Sequence, residues 1–354
     1  MRIIPFGITK DRIPADLIEL ENHNGMTVKL LSFGASVHSI EIPQKDGGKT
    51  DVALGYGVLS RYERNPECMG ATVGRVANRI EDARFSLNGV SYPLCPWKTP
   101  GKPMLHSFPN GYSERVFDYA LSRKEDGESV LFSLRSPHMD QGYPGNLTFE
   151  VRYTLTDENA LMIGYEAVSD RDTLFAPTNH TYFNLNGHDS GNVLSHRLTI
   201  ASDRIPVYSD SLCPTGSTRP VEGTPYDFRF EKEVGRDLFS DDPGLVRCKG
   251  YDLAYITNGG NVSEKPAFAA RLAGDKTGIT MELFTDMPSI QLYTANSLNV
   301  SEGKNGASYG HYAGICLEPG YVPNAVRAIG LEKPIIRAGE RKSFTEAYRF
   351  TYGV

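Results

Sequence analysis

A chain of 354 residues with 40% hydrophobic and 23% charged residues has the composition of an ordinary globular protein and can bury a large core. This composition excludes the disordered and collagen-like classes. The formal net charge of −6 argues against a general nucleic-acid binder, because a phosphate backbone attracts basic surfaces.

The five cysteines predict reduced thiols rather than a disulfide framework. They stand at positions 68, 95, 213, 248 and 316, are odd in number and form no CxxC pair, so we expect neither a bridge nor a zinc site. The N-terminal sequence MRIIPFGITKDRIP lacks the apolar run of a secretion signal, and no apolar stretch is long enough for a membrane span. We therefore expect a cytoplasmic protein without a membrane partner.

Short segments of alternating hydrophobicity recur along the chain and predict an all-β protein. Strand-length examples are MTVKLL at 26–31, LTFEVRYTL at 147–155, LMIGYEA at 161–167, TMELF at 280–284, IQLYT at 290–294 and ICLE at 315–318. The best candidates for short helices or single turns are residues 15–21 and 59–65. Turn signals are dense, for example at 46–48, 88–89 and 258–260. Many strands without intervening helices indicate a sandwich or a barrel.

The first segment that could carry chemistry is GATVGRVANRI at 70–80. Alternation places Arg75 and Arg79 on one face of this run, with Asn78 beside them. The glycines lack the spacing of a phosphate-binding loop. The two arginines predict either recognition of a hydroxyl or a developing oxyanion, or a structural tie to a buried carboxylate. His106, which follows Leu105, is a weaker candidate on its own.

The run PTNHTYFNL at 177–185 places a histidine on a polar face. Alternation puts the polar residues at 178, 180, 182 and 184 on one side, and Phe183 and Leu185 on the other. His180 therefore lies on a polar face that is backed by an apolar one. A structural histidine and a functional one both fit this pattern.

Three more candidates lie in the C-terminal third. Asp252 follows Gly250-Tyr251, and Gln291 lies on a polar strand face with an apolar face behind it. Glu318 ends the strand ICLE, with small residues on its own face and apolar residues opposite. A partly desolvated carboxylate at that position would have a raised pKa, as a general base requires. A surface glutamate at a strand end is the alternative.

Taken in order, these segments resemble the aldose 1-epimerase (galactose mutarotase) family over nearly the whole chain. The most specific pieces are GRVANRI at 74–80 and NHTYFNL at 179–185; the others are LH at 105–106, GYPG at 142–145, PTG at 214–216, GTPYDFR at 223–229, GYD at 250–252 and LE at 317–318. The chain departs from the family pattern after His106, where SFP replaces two glycines, and after Glu318, where PGYVPNA follows. The resemblance implies one domain over residues 1–354, a large antiparallel β-sandwich (galactose mutarotase-like supersandwich) with few short helices.

The resemblance also implies an activity and a set of roles. It implies an isomerase that interconverts the α and β anomers of an aldohexose such as galactose or glucose. Glu318 would take the proton of the anomeric hydroxyl, and His180 would protonate the ring oxygen. The residues implied to hold the sugar are Asn78, Arg79, His106, Asp252 and Gln291. The implied partner is a monosaccharide, with no metal and no cofactor, and either a monomer or a homodimer fits.

Other classes remain open at this point. A glycosidase would need a second carboxylate, and Asp252 could pair with Glu318 in that role. A lectin-like module would bind sugar without chemistry. A hexose-phosphate epimerase would need a basic cluster beyond Arg75 and Arg79.

Overall fold

The computed structural model describes residues 1–45, 47–124, 127–257 and 260–352. Strands dominate these ranges, as predicted, and the α-helices within them are two short segments, Leu59–Tyr62 and Pro243–Cys248. Single 3-10 turns occupy Glu81–Ala83, Tyr112–Glu114, Asp140–Gly142 and Lys304–Gly306. The predicted turns at 46–48 and 258–260 fall partly outside the described residues. No helix in the described ranges is long and apolar enough to cross a membrane.

An antiparallel sheet of nine strands forms the main layer. In spatial order its strands are Asp118–Lys124, Gly127–Ser136, Leu147–Leu155, Ala160–Ser169, Arg341–Thr351, Thr280–Thr285, Ala267–Ala273, Arg197–Ile200 and Lys232–Glu233. The strand Arg341–Thr351 pairs with Ala160–Ser169 on one side and with Thr280–Thr285 on the other. The two halves of the chain therefore meet in the middle of this sheet.

Smaller antiparallel sheets complete the fold. Five strands form one sheet: Arg2–Ile8, Pro14–Glu21, Thr27–Leu31, Ser36–Pro43 and Lys49–Asp51. Three strands form another: Asp252–Ile256, Ser289–Tyr293 and Cys316–Gly320. The two-stranded pairs are Thr72–Val73 with Thr178–Asn179, Arg79–Ile80 with Met104–Leu105, Arg84–Leu87 with Val90–Pro93, Thr173–Leu174 with Ile335–Ile336, and Arg204–Tyr208 with Pro214–Pro220.

A large contiguous hydrophobic cluster joins these sheets, and a second, smaller cluster is also present in the described residues. Phe132 and Phe344 reach it from the nine-stranded sheet, Val28 from the five-stranded sheet and Leu317 from the three-stranded sheet. Sheets that bury their apolar faces against one another form a sandwich. The prediction of an all-β antiparallel sandwich with few short helices is confirmed.

The predicted strands occur within two residues of their expected ends, and the strand Leu147–Leu155 matches at both. The possible helix at 15–21 is wrong, because these residues form the strand Pro14–Glu21. This strand pairs with Arg2–Ile8 and with Thr27–Leu31, so neighbouring strands supply the backbone hydrogen bonds and tertiary pairing overrides a weak helical pattern. The candidate at 59–65 becomes the single turn Leu59–Tyr62.

A buried lysine binds the backbone that lies beside the segment after His180. Lys304 is 4% exposed, and its Nζ donates to the carbonyl oxygens of His38 at 2.8 Å and Ala53 at 2.7 Å, and to the Asp51 carboxylate. The next residue, Leu54, donates its N–H to the carbonyl of Tyr182 at 2.9 Å. The lysine therefore stabilises the backbone against which the 180–184 segment lies.

Candidate active site

One face of the three-stranded sheet carries the C-terminal candidates. Gln291 pairs with Glu318 across the Ser289–Tyr293 and Cys316–Gly320 strands, and Asp252 pairs with Tyr293 on the other side. Side chains on a strand alternate between faces, so these residues project together while the leucines between them enter the core. The alternation predicted for Glu318 is therefore present.

His180 approaches this face from a neighbouring segment. It follows the strand Thr178–Asn179, and its backbone N–H donates to the carbonyl of Ala71 at 2.9 Å. Its imidazole stacks on the Tyr182 ring with centroids 5.1 Å apart and meets the His106 ring edge-on at 5.3 Å. These two rings fix the plane of the imidazole.

The Asn78–Arg79 turn and His106 form the adjoining wall. The backbone N–H of Asn78 donates to Nδ1 of His106 at 3.2 Å, and the His106 N–H donates to the Asn78 carbonyl at 3.0 Å. Burial holds the pKa of His106 well below its usual value, and the neighbouring His180 and Arg79 lower it further. The ring is therefore neutral. Because Nδ1 accepts a hydrogen bond, the proton is on Nε2, which can donate to a ligand.

These elements enclose a cavity of about 490 Å³. All seven residues proposed from the sequence line it: Asn78, Arg79, His106, His180, Asp252, Gln291 and Glu318. A concave pocket of this size with several convergent polar groups is typical of a small-molecule site. Sequence reasoning therefore identified residues that lie far apart in the chain but share one cavity.

Glu318 and His180 form a close pair in this cavity. Glu318 Oε1 lies 3.7 Å from His180 Nε2, and the two residues are 4% and 5% exposed. Burial raises the pKa of Glu318 well above its usual value; Asp252 raises it further and Arg79 opposes the rise. Burial also lowers the pKa of His180 to about 4. Without a ligand, both shifts favour the neutral forms of the pair, a protonated carboxyl group and an uncharged imidazole, over the ion pair.

Asp252 organises the remaining polar groups. Arg79 Nη2 donates to its Oδ2 at 3.2 Å, and Gln291 Nε2 donates to its Oδ1 at 2.7 Å. Burial alone would lower the pKa of Arg79, but the Asp252 carboxylate outweighs burial and raises it. The Oε1 atom of Gln291 is buried without a protein partner, which leaves an acceptor for a ligand hydroxyl.

Arg75 does not share a face with Arg79, so that sequence expectation is wrong. Its fully buried guanidinium donates to the carbonyls of Pro144 and Gly145 and to the hydroxyls of Thr173 and Ser136. The run 70–80 is not one strand, because the strands Thr72–Val73 and Arg79–Ile80 are separated by a turn. Arg75 therefore ties loops together, through carbonyls and hydroxyls rather than the carboxylate considered from sequence.

The comparisons with known proteins agree with this geometry. The aldose 1-epimerase family model matches residues 16–349. The chain belongs to the aldose 1-epimerase family. It is 32% identical to an aldose 1-epimerase of Escherichia coli (strain K12) over 346 residues, 97% of each chain, and 33% identical to the galactose mutarotase of Homo sapiens over 327 residues, 92% of this chain and 91% of that protein.

Solved structures show the same relationship. An aldose epimerase homologue from C. elegans superimposes with a TM-score of 0.85 at 30% identity, covering 96% of this chain and 100% of that one. A galactose 1-epimerase from Lactobacillus acidophilus superimposes with a TM-score of 0.85 at 29% identity, covering 100% of this chain and 99% of the other. The mutarotase-like sandwich expected from the resemblance is therefore present in this member of the aldose 1-epimerase family.

One group of side chains in this aldose 1-epimerase family member has the composition of a metal site. Within the described ranges, the donor atoms of His180, Cys316 and Glu318 lie within 4.8 Å of one another. Cys316 Sγ contacts Nδ1 of the imidazole, whereas Glu318 is close to Nε2. The shortest contacts of Cys316 and Glu318 are thus to different nitrogens of the ring, whereas a zinc-binding histidine uses one nitrogen that faces the other ligands.

Sequence reasoning missed the loop that forms another wall of the cavity. Trp97 and Lys98 line the cavity, and the Lys98 ammonium lies 5.1 Å from the centroid of the Trp97 ring. Trp97 packs against Phe108, with ring centroids 5.2 Å apart. Phe108 belongs to the SFP segment in which this chain departs from the aldose 1-epimerase pattern. The only signal in the sequence was that Trp97 is the single tryptophan of the chain.

The same departure places a buried serine after His106. The Ser107 hydroxyl donates to the Val76 carbonyl at 2.8 Å and accepts from the Val76 N–H at 3.0 Å. These two bonds fix the backbone directly after a cavity histidine. The altered segment therefore supports His106 on one side and Trp97 on the other.

Proposed function

We propose that the protein is an aldose 1-epimerase that interconverts the α and β anomers of an aldohexose such as galactose or glucose. The observation that carries this proposal is the buried Glu318–His180 pair, whose atoms lie 3.7 Å apart in a cavity that is large enough for a monosaccharide and lined with polar side chains. The aldose 1-epimerases and galactose mutarotases among its relatives support the same reaction.

The reaction requires two coordinated proton transfers. In the proposed mechanism, the Glu318 carboxylate takes the proton of the anomeric hydroxyl while the His180 imidazolium protonates the ring oxygen, and the C1–ring-oxygen bond breaks. The products are an open-chain aldehyde, a neutral carboxyl group and a neutral imidazole. After rotation about C1–C2, the transfers run in reverse and the ring closes with the hydroxyl on the opposite face.

The electrostatics of the cavity favour the open-chain stage. The proposed ring-opening step starts from the ion pair and ends with the neutral pair. Burial disfavours both charges, which raises the pKa of Glu318 and lowers that of His180. One proton transfer from Glu318 to His180 converts the resting pair to the ion pair, so both forms contain the same number of protons. Burial therefore favours ring opening from the ion-paired complex, whereas forming that ion pair from the neutral resting pair adds to the cost of the reaction.

The other cavity residues suit the recognition of hydroxyl groups. We propose that Nε2–H of His106 and the guanidinium of Arg79 donate to sugar oxygens, and that Asn78, Asp252 and Gln291 orient the hydroxyls. The free Oε1 of Gln291 and the free Nε2–H of His106 support an acceptor and a donor role, respectively. Arg79 is aligned by Asp252, so its direction is set before the sugar binds.

The competing functions find less support. Both oxygens of Asp252 already accept hydrogen bonds, from Arg79 and Gln291, so it is a poor second carboxylate for a glycosidase. Arg75 is buried among loop carbonyls and does not line the cavity, so it cannot join Arg79 in a phosphate site. A lectin-like module has no need of a buried acid–base pair.

Polarimetry tests the proposed function. We expect the wild-type protein to accelerate the approach of freshly dissolved α-D-galactose or α-D-glucose to rotational equilibrium in proportion to enzyme concentration. Saturable sugar binding with rotation at the solvent rate would instead show a binding module. Release of p-nitrophenol from p-nitrophenyl glycosides would show a glycosidase.

The dependence of the rate on pH gives a second prediction. The active pair holds one proton, so kcat/KM should fall when a second proton is gained and when the last proton is lost. Because burial lowers the pKa of His180 to about 4 and raises that of Glu318, we expect the acid limb near pH 4 and the alkaline limb well above the usual glutamate pKa. An acid limb near the usual histidine pKa would contradict this. Each rate is corrected for spontaneous mutarotation in the same buffer.

We also propose a cytoplasmic location, a role in hexose metabolism and one domain across the chain. The free state of all five cysteines supports a reducing compartment. The pairing of Arg341–Thr351 with Ala160–Ser169 and the contiguous core support one domain. The acidic net charge supports a small-molecule partner rather than nucleic acid.

A further inference from the structure

The two nitrogens of the His180 ring have different partners. Nε2 lies 3.7 Å from the Glu318 carboxylate, and Nδ1 lies 3.5 Å from the sulfur of Cys316. Cys316 is fully buried and lies two residues before Glu318 on the same face of one strand. A single strand therefore presents a thiol to one edge of the imidazole and a carboxyl group to the other.

The proton count of the proposed reaction determines what the thiol does. As the ion pair, His180 is an imidazolium and both nitrogens carry hydrogen. As the neutral pair, Nε2 has given up its hydrogen, so the remaining one is on Nδ1. Nδ1 is therefore protonated in both forms, and the sulfur beside it is a hydrogen-bond acceptor throughout.

We propose that Cys316 is a positioning residue whose sulfur accepts a hydrogen bond from Nδ1–H of His180 and thereby reserves Nε2 for proton exchange with Glu318 and the sugar. This inference rests on the proposed function, because it assigns a task to a residue beside the proposed catalytic pair.

A thiol suits this task better than a charged partner. Histidines whose tautomer is fixed by a carboxylate gain stabilisation of the imidazolium as well. Sulfur is a weak acceptor, and burial raises the pKa of Cys316 well above its usual value, so it stays neutral. The thiol therefore selects the tautomer without strongly favouring the ion pair, which suits a reaction that must run in both directions.

The other side chains facing the ring do not compete for Nδ1, and the main-chain carbonyl of His180 itself, which raises the pKa of the imidazole, is a second acceptor at this edge. Glu318 approaches Nε2, and the aromatic neighbours His106, Tyr182 and Tyr293 contact the ring with centroids 5.1–6.4 Å away. Arg79 and Asp252 are engaged with each other at 3.2 Å. Among the described side chains, the one within hydrogen-bonding distance of Nδ1 is thus that of Cys316.

Nitrogen-15 NMR of the histidine rings tests the tautomer without sugar or turnover. At pH 7, we expect the His180 signals of the wild-type protein to show a protonated Nδ1 and a bare Nε2, with the assignment made by their loss in His180→Asn. In Cys316→Ala, Nδ1–H would lose the sulfur as its side-chain acceptor, so we expect the proton to move to Nε2. A wild-type ring protonated on Nε2, or an unchanged tautomer in Cys316→Ala, would overturn the proposal.

Kinetics provide the second readout. We expect Cys316→Ala to lower kcat by about 10- to 100-fold with little change in KM, as is typical when a partner that orients a histidine is lost. Cys316→Ser retains an acceptor and should recover part of the activity, with the acid limb of the pH profile displaced upward, because oxygen stabilises the imidazolium more than sulfur does. Equal activity in both variants would contradict the role.

The matched control is Cys68→Ala, which removes another fully buried thiol, one whose hydrogen-bond partner is the Ser113 side chain rather than the imidazole. We expect it to leave the tautomer and the pH profile unchanged. Wild-type protein that does not accelerate mutarotation would refute the proposed function, whereas the NMR result would still decide the Cys316–His180 contact.

Discussion

Glu318→Gln should lower the enzymatic rate of mutarotation by about 10²- to 10⁴-fold, the usual contribution of a general acid or base. The amide keeps the shape of the carboxyl group but cannot exchange a proton with the anomeric hydroxyl. His180→Asn should cause a loss of similar size. Because the two groups act in one step, the double variant should be little worse than either single variant. Polarimetry under the same conditions measures all three rates.

Sugar binding by these variants can be measured independently of the reaction. Trp97 is the single tryptophan of the chain and lines the cavity, so its fluorescence should respond to bound galactose or glucose. We expect Glu318→Gln to retain a saturable fluorescence change while losing turnover. Loss of the saturable change would instead mean that the substitution prevents binding.

Glu346→Gln is a matched control for the loss of a buried carboxyl group. Glu346 is 1% exposed and accepts a hydrogen bond from the Tyr165 hydroxyl, and burial raises its pKa well above the usual value. It does not line the cavity. We expect this variant to retain wild-type turnover. Full activity in Glu318→Gln would refute its assignment as the base.

Lys304→Met should lower the free energy of unfolding by about 3–5 kcal/mol, the cost that is usual when one partner of a buried ion pair is removed. Methionine fills similar volume but leaves the Asp51 carboxylate uncompensated and the carbonyls of His38 and Ala53 without their donor. Urea denaturation followed by circular dichroism measures the change. Because Leu54 pairs with Tyr182, we also expect reduced mutarotase activity at temperatures where the variant remains folded.

Two further variants separate the ion pair from the loss of a lysine. Lys10→Met removes an exposed lysine and should change the stability by less than about 0.5 kcal/mol. Lys304→Met combined with Asp51→Asn removes both charges and should be more stable than Lys304→Met alone. Asp51→Asn alone completes the cycle: if the double variant loses the sum of the losses in Lys304→Met and Asp51→Asn, the charges are not coupled.

The sequence was most informative where side-chain alternation governs position. A strand has a period of two, so the apolar residues around Glu318 and His180 determined which face each would occupy. It did not show that the two faces meet, because the residues lie more than a hundred positions apart and no local pattern records their 3.7 Å contact. Family motifs in order supplied that connection.

The errors arose where a strand pattern did not continue. The sequence pattern places Arg75 and Arg79 on one strand face, but the chain turns between the strands Thr72–Val73 and Arg79–Ile80, where Asn78 has the left-handed conformation at φ 58°. Trp97 was missed because its place depends on contact with Phe108, and neither loop has a periodic pattern. Cys316 was read only as a small neighbour of Glu318, because sequence alone gives no distance to an imidazole.

The central position of Arg341–Thr351 in the nine-stranded sheet has a consequence for synthesis of the protein. Ribosomes make this strand after its two partners, so the strands Ala160–Ser169 and Thr280–Thr285 each leave a row of backbone groups unpaired in the nascent chain. The main sheet cannot close until residues 341–351 emerge from the exit tunnel. Premature termination shortly before this strand would therefore yield a product that contains Glu318 and His180 but has two strands with unpaired edges. We expect this product to aggregate.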